Sequence, residues 1–198
     1  MTGSEQATTR SDAELLDAFR GGNDDALGAL LERYAPTVHR FGLRMCRDPD
    51  DAKDVVQDTL FAAARGARGF QGGSSLATWL YTIARSFCIK KRRRPRHEVP
   101  LEDGATLIAA PGDGPEDTAS RREVGAALEA AIVALEPKYR EVLLLRDVEG
   151  LSAPEVASVL GIGLEAVKSR LHRARVAVRE HVAPELGVRL AELGARES

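Results

Sequence analysis

Two short helical patterns joined by a glycine turn constrain the fold of this chain more than any other feature. Ser152, with Glu155 three residues later, forms a capping box that marks the start of a helix. An apolar face follows at helical spacing, made by Val156, Ala157 and Leu160. The stretch 161–163, Gly-Ile-Gly, predicts a tight turn, and a second helix begins near Leu164. This arrangement is typical of a helix-turn-helix, whose second helix reads the DNA major groove.

The second of these helices separates into an apolar and a polar side. The apolar positions, predicted to be buried, are Val167, Leu171, Ala174 and Val178. The polar positions, predicted to face DNA, are Glu165, Lys168, Ser169, Arg170, His172 and Arg173. Arginine and lysine favour guanine, and glutamate can accept from cytosine N4. We interpret His172 as a DNA contact rather than a catalytic base, because no carboxylate or nucleophile is patterned around it.

Charge is segregated along the chain, although the net charge is only −2. Residues 65–97 hold basic side chains and no acid, whereas residues 98–117 hold acids and no lysine or arginine. Such segregation produces local fields that the total conceals. A basic stretch that ends an amphipathic helix is suited to phosphate contact.

The hydrophobic periodicity is helical throughout, with no strand pattern, and predicts an all-α protein. We expect two small helical domains joined by a flexible acidic linker. The expected bounds are a disordered N-terminus at 1–10, a first domain at 11–94, the linker at 95–120, a second domain at 121–182 and a C-terminal tail at 183–198. No apolar run reaches the length of a membrane span and the N-terminus lacks a signal-peptide core, so we expect a cytoplasmic protein without membrane insertion.

A helix predicted from Pro49 to about Ala64 presents an unusual outer face. Its apolar residues cluster on one side, and the other side carries Asp54, Gln57, Asp58, Phe61 and Arg65. Phe61 is therefore an aromatic residue on a polar face. Two interpretations remain open: a neighbouring helix covers the ring, or the face binds a partner with Phe61 as its anchor.

A glycine-rich loop at 66–75 precedes a long helix predicted from Leu76 to about Arg94. Glycines allow close approach to a ligand, and Phe70, Gln71 and the loop serines can contact an unstacked base. The alternative is a flexible hairpin that binds nothing. In the helix, the predicted core stripe is Leu76, Trp79, Leu80, Ile83 and Phe87, and the residues predicted to face away are Thr78, Tyr81, Thr82, Arg85 and Ile89.

No catalytic constellation, cofactor motif or metal-ligand spacing is present in the sequence, which argues against an enzyme. Cys46 and Cys88 are predicted to be small buried hydrophobic residues, with a redox-sensing pair as the alternative. An enzyme with an attached helix-turn-helix is disfavoured, because little chain remains beyond the two helical units.

Four segments together resemble the extracytoplasmic-function (ECF) group of bacterial RNA polymerase sigma factors. Residues 54–61 resemble the segment that docks on the clamp helices of the polymerase β′ subunit. Residues 70–94, centred on the stretch from Trp79 to Arg85, resemble the part that melts and reads the minus-ten promoter element. Residues 135–142 and 167–175 resemble the part that reads the minus-thirty-five element. The chain departs from the family's usual pattern at Ser86, where asparagine is usual, and at Lys90, where aspartate is frequent.

The resemblance implies three sets of site residues. The polymerase-binding set is Asp54, Gln57, Asp58 and Phe61. The minus-ten set is Arg68, Phe70, Gln71, Ser74, Tyr81, Arg85, Ser86, Lys90 and Arg93. The minus-thirty-five set is the polar side of the helix-turn-helix described above. The implied partners are core RNA polymerase, through its β′ clamp helices and its β subunit, together with promoter DNA and an anti-sigma factor.

The resemblance predicts a sigma factor that directs promoter recognition, promoter melting and initiation for a specialised regulon. The alternative is a stand-alone helix-turn-helix regulator, which leaves the Phe61 face and the loop at 66–75 without a role. The acidic linker is either an RNA mimic that occupies a positively charged polymerase channel or a soluble tether. The acids concerned are Glu98, Glu102, Asp103, Asp113, Glu116 and Asp117.

Overall fold

The computed structural model describes residues 10–46, 48–93 and 115–196, with the backbone alone over 115–123 and 185–196. Every regular element in these ranges is helical, which confirms the all-α prediction. The α-helices are α1 (Asp12–Arg20), α2 (Asp24–Cys46), α3 (Pro49–Gly66), α4 (Leu76–Arg92), α5 (Pro115–Ala134), α6 (Pro137–Leu143), α7 (Ala153–Leu160) and α8 (Leu164–Arg196). A 3-10 helix, Ala67–Gly69, follows α3, and a π-helix, Leu144–Val148, follows α6.

The chain divides into two compact units. The first contains α1 to α4 together with the segment Ser158–Gly161, and the second contains the remaining described residues. The predicted N-terminal segment and most of the predicted linker lie outside the described residues, so the RNA-mimic hypothesis stays a prediction. The same holds for the domain bounds given above.

Helix starts follow the capping signals in the sequence. In the first capping box the amide of Ser11 donates to Glu14 Oε2 at 2.7 Å, and the amide of Glu14 donates back to Ser11 Oγ at 3.3 Å. The box of Ser152 and Glu155 repeats this geometry at 2.9 and 3.4 Å. Asp48 caps α3 by accepting two backbone amides at 2.9 Å each. These bonds satisfy donors that the first turn of a helix otherwise leaves unpaired.

The first unit has its core between α1, α2 and the inner faces of α3 and α4. Helix α4 packs against both α2 and α3, so its buried face is wider than a single stripe. Tyr81 is 2% exposed and packs edge-to-face on Phe41, with ring centroids 5.3 Å apart. The prediction that Thr78 and Tyr81 face outward is therefore wrong, because a helix with two neighbours buries residues on both flanks of its apolar stripe.

Two helices of the second unit extend beyond the predicted bounds 121 and 182, and those bounds stay a prediction. Helix α5 begins at Pro115, inside the predicted linker, and proline is favoured in the first turn of a helix. Helix α8 continues through Pro184 to Arg196, whereas the sequence suggested a separate tail. The recognition helix and the predicted tail are thus one element.

A buried arginine joins α5 to α6. Arg140 is 1% exposed, and its guanidinium donates to the carbonyl oxygens of Ile132 at 3.1 Å, Val133 at 2.5 Å and Leu135 at 2.6 Å. Carbonyls at the end of a helix lack partners within that helix. Arg140 therefore closes the C-terminus of α5 while it belongs to the next helix, which fixes the angle between the two.

Candidate functional site

The outer face of α3 carries the four predicted polymerase contacts. Asp54, Gln57, Asp58 and Phe61 recur at the spacing that places side chains on one helix face, and all four are exposed. The Phe61 ring is 58% exposed, so within the described residues no neighbouring helix covers it. The interpretation in which a neighbouring helix covers the Phe61 ring is therefore excluded for the described residues. The opposite face packs into the core through Ala52, Val55, Thr59 and Ala63.

One carboxylate of this face is held by a buried lysine. Lys91 of α4 is 9% exposed and donates to Asp54 Oδ2, and its Nζ also lies 3.5 Å from Asp51 Oδ1. The hydrogen bond to Asp54 raises the pKa of Lys91 above its ordinary value, against the opposing effect of burial. The pair links α3 to α4, so the Phe61 face and the basic helix are mechanically connected.

The loop after α3 is more ordered than its glycines suggest. The Phe70 ring is buried with its centroid 5.0 Å from that of Trp79, and Arg20 Nη2 donates to the Phe70 carbonyl at 2.8 Å. A Cβ on Gly66 would lie 3.1 Å from Trp79 Cζ2, so this glycine serves a close packing contact rather than a ligand. The Phe70 ring is not available to an unstacked base in this structure, because it completes the core beside Trp79.

The remaining minus-ten residues fall along the loop and α4. Those that are exposed are Arg68, Gln71, Ser86, Lys90 and Arg93, and those that are half-buried are Ser74 and Arg85. The Ser86 hydroxyl donates to the Ile83 carbonyl at 2.7 Å, so it must rotate away from the helix to meet a base. With Phe70 and Tyr81 withdrawn into the core, this candidate surface is polar and basic and has no exposed aromatic ring among the predicted contacts.

The helix-turn-helix has the predicted geometry. Helix α7 ends at a turn in which Gly161 has φ +64°, a conformation that favours glycine. Helix α8 starts at Leu164, and its Val167 and Ala174 are buried while Leu171 and Val178 are half-buried. The predicted DNA-facing residues are exposed except Arg170, which is half-buried. Lys168 pairs with Glu165 at 2.7 Å in the first turn of α8.

Tyr139 lies beside the recognition helix and is not among the site residues predicted from the sequence. Arg173 donates to the hydroxyl of Tyr139 in α6 at 3.4 Å, and Lys138 Nζ lies 4.7 Å from the centre of the Tyr139 ring. The hydrogen bond from Arg173 lowers the pKa of Tyr139. The segment 135–142 was recognised as a motif, but which of its side chains meets α8 depends on a contact 34 residues away in sequence.

A second feature absent from the predictions is an apolar groove in the second unit. Its apolar walls come from α5, from the α6 and π-helix segment and from α8: Leu128, Ile132, Leu143, Val148, Val178 and Val182. Leu128 and Val148 stay more than a third exposed. Of these residues, only Val178 was predicted from the sequence to lie on a buried stripe. The groove exists because the helices leave the space between them open.

Within the part of the chain that the structure describes, no group of three or more histidine, cysteine, aspartate or glutamate side chains is arranged to hold a metal ion. Over the same residues, no helix combines the length and the apolar character needed to cross a bilayer.

These surfaces define the class: a helical, two-unit protein that carries a helix-turn-helix and a basic helix. Residues 30–98 match the family described as Sigma-70 region 2, and residues 125–178 match Sigma-70, region 4. The first match contains the Phe61 face, the loop and α4. The second contains Tyr139 and the helix-turn-helix.

Individual relatives agree with these matches. The ECF RNA polymerase sigma factor SigE of Mycolicibacterium smegmatis is 32% identical over 157 residues, 78% of this chain and 60% of that protein. The ECF RNA polymerase sigma factor SigM of Mycobacterium tuberculosis is 32% identical over 168 residues, 84% of this chain and 82% of that protein. A structure of the sigma factor RpoE in complex with the anti-sigma factor NepR from Bartonella quintana covers 77% of this chain and 94% of the matched chain, with a TM-score of 0.61 and 29% identity.

The chain belongs to the sigma-70 family and, within it, to the ECF RNA polymerase sigma factors. Its function is that of a sigma factor, a transcription initiation factor that directs promoter recognition. The stand-alone regulator is not favoured, because region 2 accounts for the Phe61 face and the loop that such a regulator leaves unused.

Proposed function

We propose that this protein binds core RNA polymerase through α3, reads a minus-ten element with α4 and the preceding loop, and reads a minus-thirty-five element with α8. The observation that carries the proposal is the exposed Phe61 ring on the acidic outer face of α3, a helix whose opposite face packs into the core. The protein works in the cytoplasm with the polymerase, and the polymerase supplies the catalysis. We propose residues 11–94 and 121–182 as the two functional domains.

Docking on the β′ clamp helices uses Phe61 as an apolar anchor within a polar rim. Buried aromatic anchors surrounded by polar contacts dominate the binding energy of many interfaces. Gln57 and Asp58 lie within one turn of the ring and provide the rim. Asp54 contributes after its carboxylate exchanges Lys91 for a basic group of the polymerase.

The minus-ten surface consists of Arg68, Gln71, Ser74, Arg85, Ser86, Lys90 and Arg93. Tyr81 and Phe70 are left out, because both rings are buried. Capture of bases that leave the stack offsets an unstacking cost of a few kcal/mol per base, and this capture opens the duplex. Basic side chains hold the backbone of the opened strand, and Gln71, Ser74 and Ser86 provide short polar groups for base edges.

The minus-thirty-five surface is the exposed side of α8. Lys168 and Arg173 reach guanine edges or phosphates, Glu165 accepts from cytosine, and Ser169, Arg170 and His172 complete the contacts. In the free protein Lys168 is paired with Glu165 and Arg173 with Tyr139. Both cations are therefore oriented before DNA arrives.

Regulation by an anti-sigma factor is part of the proposal. RpoE of Bartonella quintana, to which this chain is similar, has been solved in complex with the anti-sigma factor NepR. An anti-sigma factor that covers the Phe61 face or the DNA-binding side of α8 blocks function without any catalytic step.

Run-off transcription with purified core polymerase, this protein and a pool of promoter fragments from its genome tests the proposal. We expect start-site-specific transcripts that disappear with Phe61→Ala while the variant stays folded. Arg40→Ala, an exposed change on α2 outside the predicted contacts, is the matched control and leaves the transcripts unchanged.

A DNA-binding measurement distinguishes the proposed sigma factor from a stand-alone regulator. We expect Arg173→Ala to weaken binding of a minus-thirty-five duplex by about tenfold, since it removes a contact to a base edge. Arg179→Ala, an exposed arginine further along α8, serves as the control and leaves binding unchanged. Absence of specific transcripts, combined with tight duplex binding by the protein alone, would instead favour a stand-alone regulator.

A further inference from the structure

Two cysteine sulfurs meet inside the first unit. Cys46 is the last residue of α2, and Cys88 lies on α4, 42 residues later in the sequence. Their Sγ atoms are 3.4 Å apart, both side chains are buried, and neither takes part in a disulfide. Bonded disulfide sulfurs are about 2.05 Å apart, so bond formation requires an approach of about 1.4 Å.

The end of α2 is well placed to make this approach. Cys46 is the final residue of its helix, where backbone carbonyls have no partner further along the helix. Two residues later Asp48 has extended backbone angles, φ −144° and ψ 123°. Cys88, in contrast, lies within α4 on the buried face that includes Tyr81 and Ala84. A small shift of the helix end brings the sulfurs together while α4 keeps its packing.

We infer that Cys46 and Cys88 form an intramolecular disulfide when the protein reacts with a hydroperoxide such as hydrogen peroxide. One thiol attacks the peroxide as its thiolate, which breaks the O–O bond and gives a sulfenic acid, and the other oxygen takes up the thiol proton and leaves as water. The second thiol attacks the sulfenic sulfur, forms the S–S bond and releases another water molecule. The two sulfurs together give two electrons to the peroxide, so the reaction needs no other oxidant.

Burial selects this product over the competing ones. A bulky thiol such as glutathione, or the cysteine of a second chain, cannot reach a sulfur that the core encloses, whereas hydrogen peroxide is small enough to enter when the structure opens locally. The other cysteine is already within 3.4 Å of the sulfenic sulfur. Further oxidation to a sulfinic acid requires a second peroxide to arrive before this neighbour reacts. The internal disulfide is therefore the expected end point.

The modification site lies next to a contact between two helices that the proposed function uses. Cys88 and Lys91 are three residues apart on α4 and share its buried face, and Lys91 holds Asp54 and Asp51 of α3. The bond would add a covalent tie between α2 and α4 within one helical turn of that ion pair. The inference rests on the geometry of the first unit alone and does not depend on the proposed function.

The test is made on the full, reduced chain. The protein is treated with a small excess of hydrogen peroxide, the peroxide is removed with catalase, and the chain is denatured and alkylated with N-ethylmaleimide before intact-mass measurement. We expect a mass loss of two hydrogen atoms, no maleimide adduct, a peptide pair that joins Cys46 to Cys88 after proteolysis, and full reversal by dithiothreitol. Cys46→Ala and Cys88→Ala, each checked for native circular dichroism, serve as controls and give no such loss.

Three results would overturn the inference. These are two maleimide adducts after peroxide treatment, a disulfide-linked dimer, or a sulfinic acid as the main product on either cysteine. The wild-type measurement decides the question even if an alanine variant fails to fold, because the linked peptide is identified in the unmodified sequence.

Discussion

Replacing Arg140 by methionine measures the contribution of one buried guanidinium to the second unit. Methionine keeps much of the apolar stem but cannot donate to the carbonyls of Ile132, Val133 and Leu135. A hydrogen bond to a charged group contributes about 1.5–3 kcal/mol. The Ile132 carbonyl keeps its bond from the Leu135 amide at 3.2 Å, so we count the two bonds to Val133 and Leu135 and expect a loss of about 3–6 kcal/mol in the free energy of unfolding. For a domain of this size that corresponds to a fall in Tm of at least about 12 °C.

Arg175→Met provides a matched control within the same unit. Arg175 makes two hydrogen bonds to the carboxylate of Asp147, at 2.8 and 2.6 Å, but its side chain is 53% exposed. Exposed ion pairs contribute at most about 1 kcal/mol, because water and salt screen them. The two variants remove the same chemical group, and they differ in burial and in the acceptors that are left behind.

Scanning calorimetry of the wild type and the two variants, each as the full chain, resolves the outcome. We expect the Tm to fall with Arg140→Met and to stay nearly unchanged with Arg175→Met. Equal, small shifts for both variants would refute the reasoning. They would show that water replaces the guanidinium at the end of α5 without loss.

Three further predictions follow from particular contacts. Tyr139→Phe should weaken binding to a minus-thirty-five duplex by about fivefold, because it removes the hydrogen bond that orients Arg173, and one hydrogen bond contributes about 1 kcal/mol. The same change should cause no further loss in an Arg173→Ala background. Additive losses, measured by fluorescence anisotropy, would show that the two residues act independently. Thr59→Val should raise the free energy of unfolding by about 1 kcal/mol, because the buried Thr59 hydroxyl has no partner among the described residues, and a decrease in urea denaturation would reveal a missed partner. The pKa of Lys91 is raised from 10.5, so its ion pair with Asp54 stabilises fully below pH 10.5 and is lost as pH rises through the folded pKa; the stability difference between wild type and Lys91→Met should shrink above that pH, and a constant difference would exclude the linkage.

Helix starts and the outer face of α3 could be predicted from the sequence. Capping boxes are local, so Ser11 and Ser152 marked their helices without any knowledge of the fold. The outer face of α3 was also correct, because this helix buries a single side and the 3.6-residue period locates the opposite one. The period placed Phe61 on that outer face, but only the structure shows that no helix of the described residues covers its ring.

The environment of a residue could not be predicted where it depends on a contact with a distant part of the chain. Tyr81 has a polar tip and lies beside the apolar stripe of α4, so periodicity placed it outside, whereas the approach of α2 buries its ring against Phe41. Phe70 was predicted to contact an unstacked base from the glycine-rich loop, but its ring completes the core beside Trp79. The pairing of Tyr139 with Arg173 is likewise tertiary, and no local pattern encodes it.

The ion pair between Lys91 and Asp54 affects how selectively α3 recognises a partner. Because Lys91 already pairs with the Asp54 carboxylate, a basic partner gains an attraction at Asp54 only by displacing this lysine. Such an exchange releases few counterions, so Asp54 should add little to the ionic-strength dependence of docking at α3, whereas phosphate contacts by α4 and α8 vary steeply with salt. At Asp54, charge alone therefore adds little binding free energy for an unrelated basic surface. The fit of the Phe61 ring into an apolar pocket is what distinguishes the correct partner from the many basic surfaces in the cell.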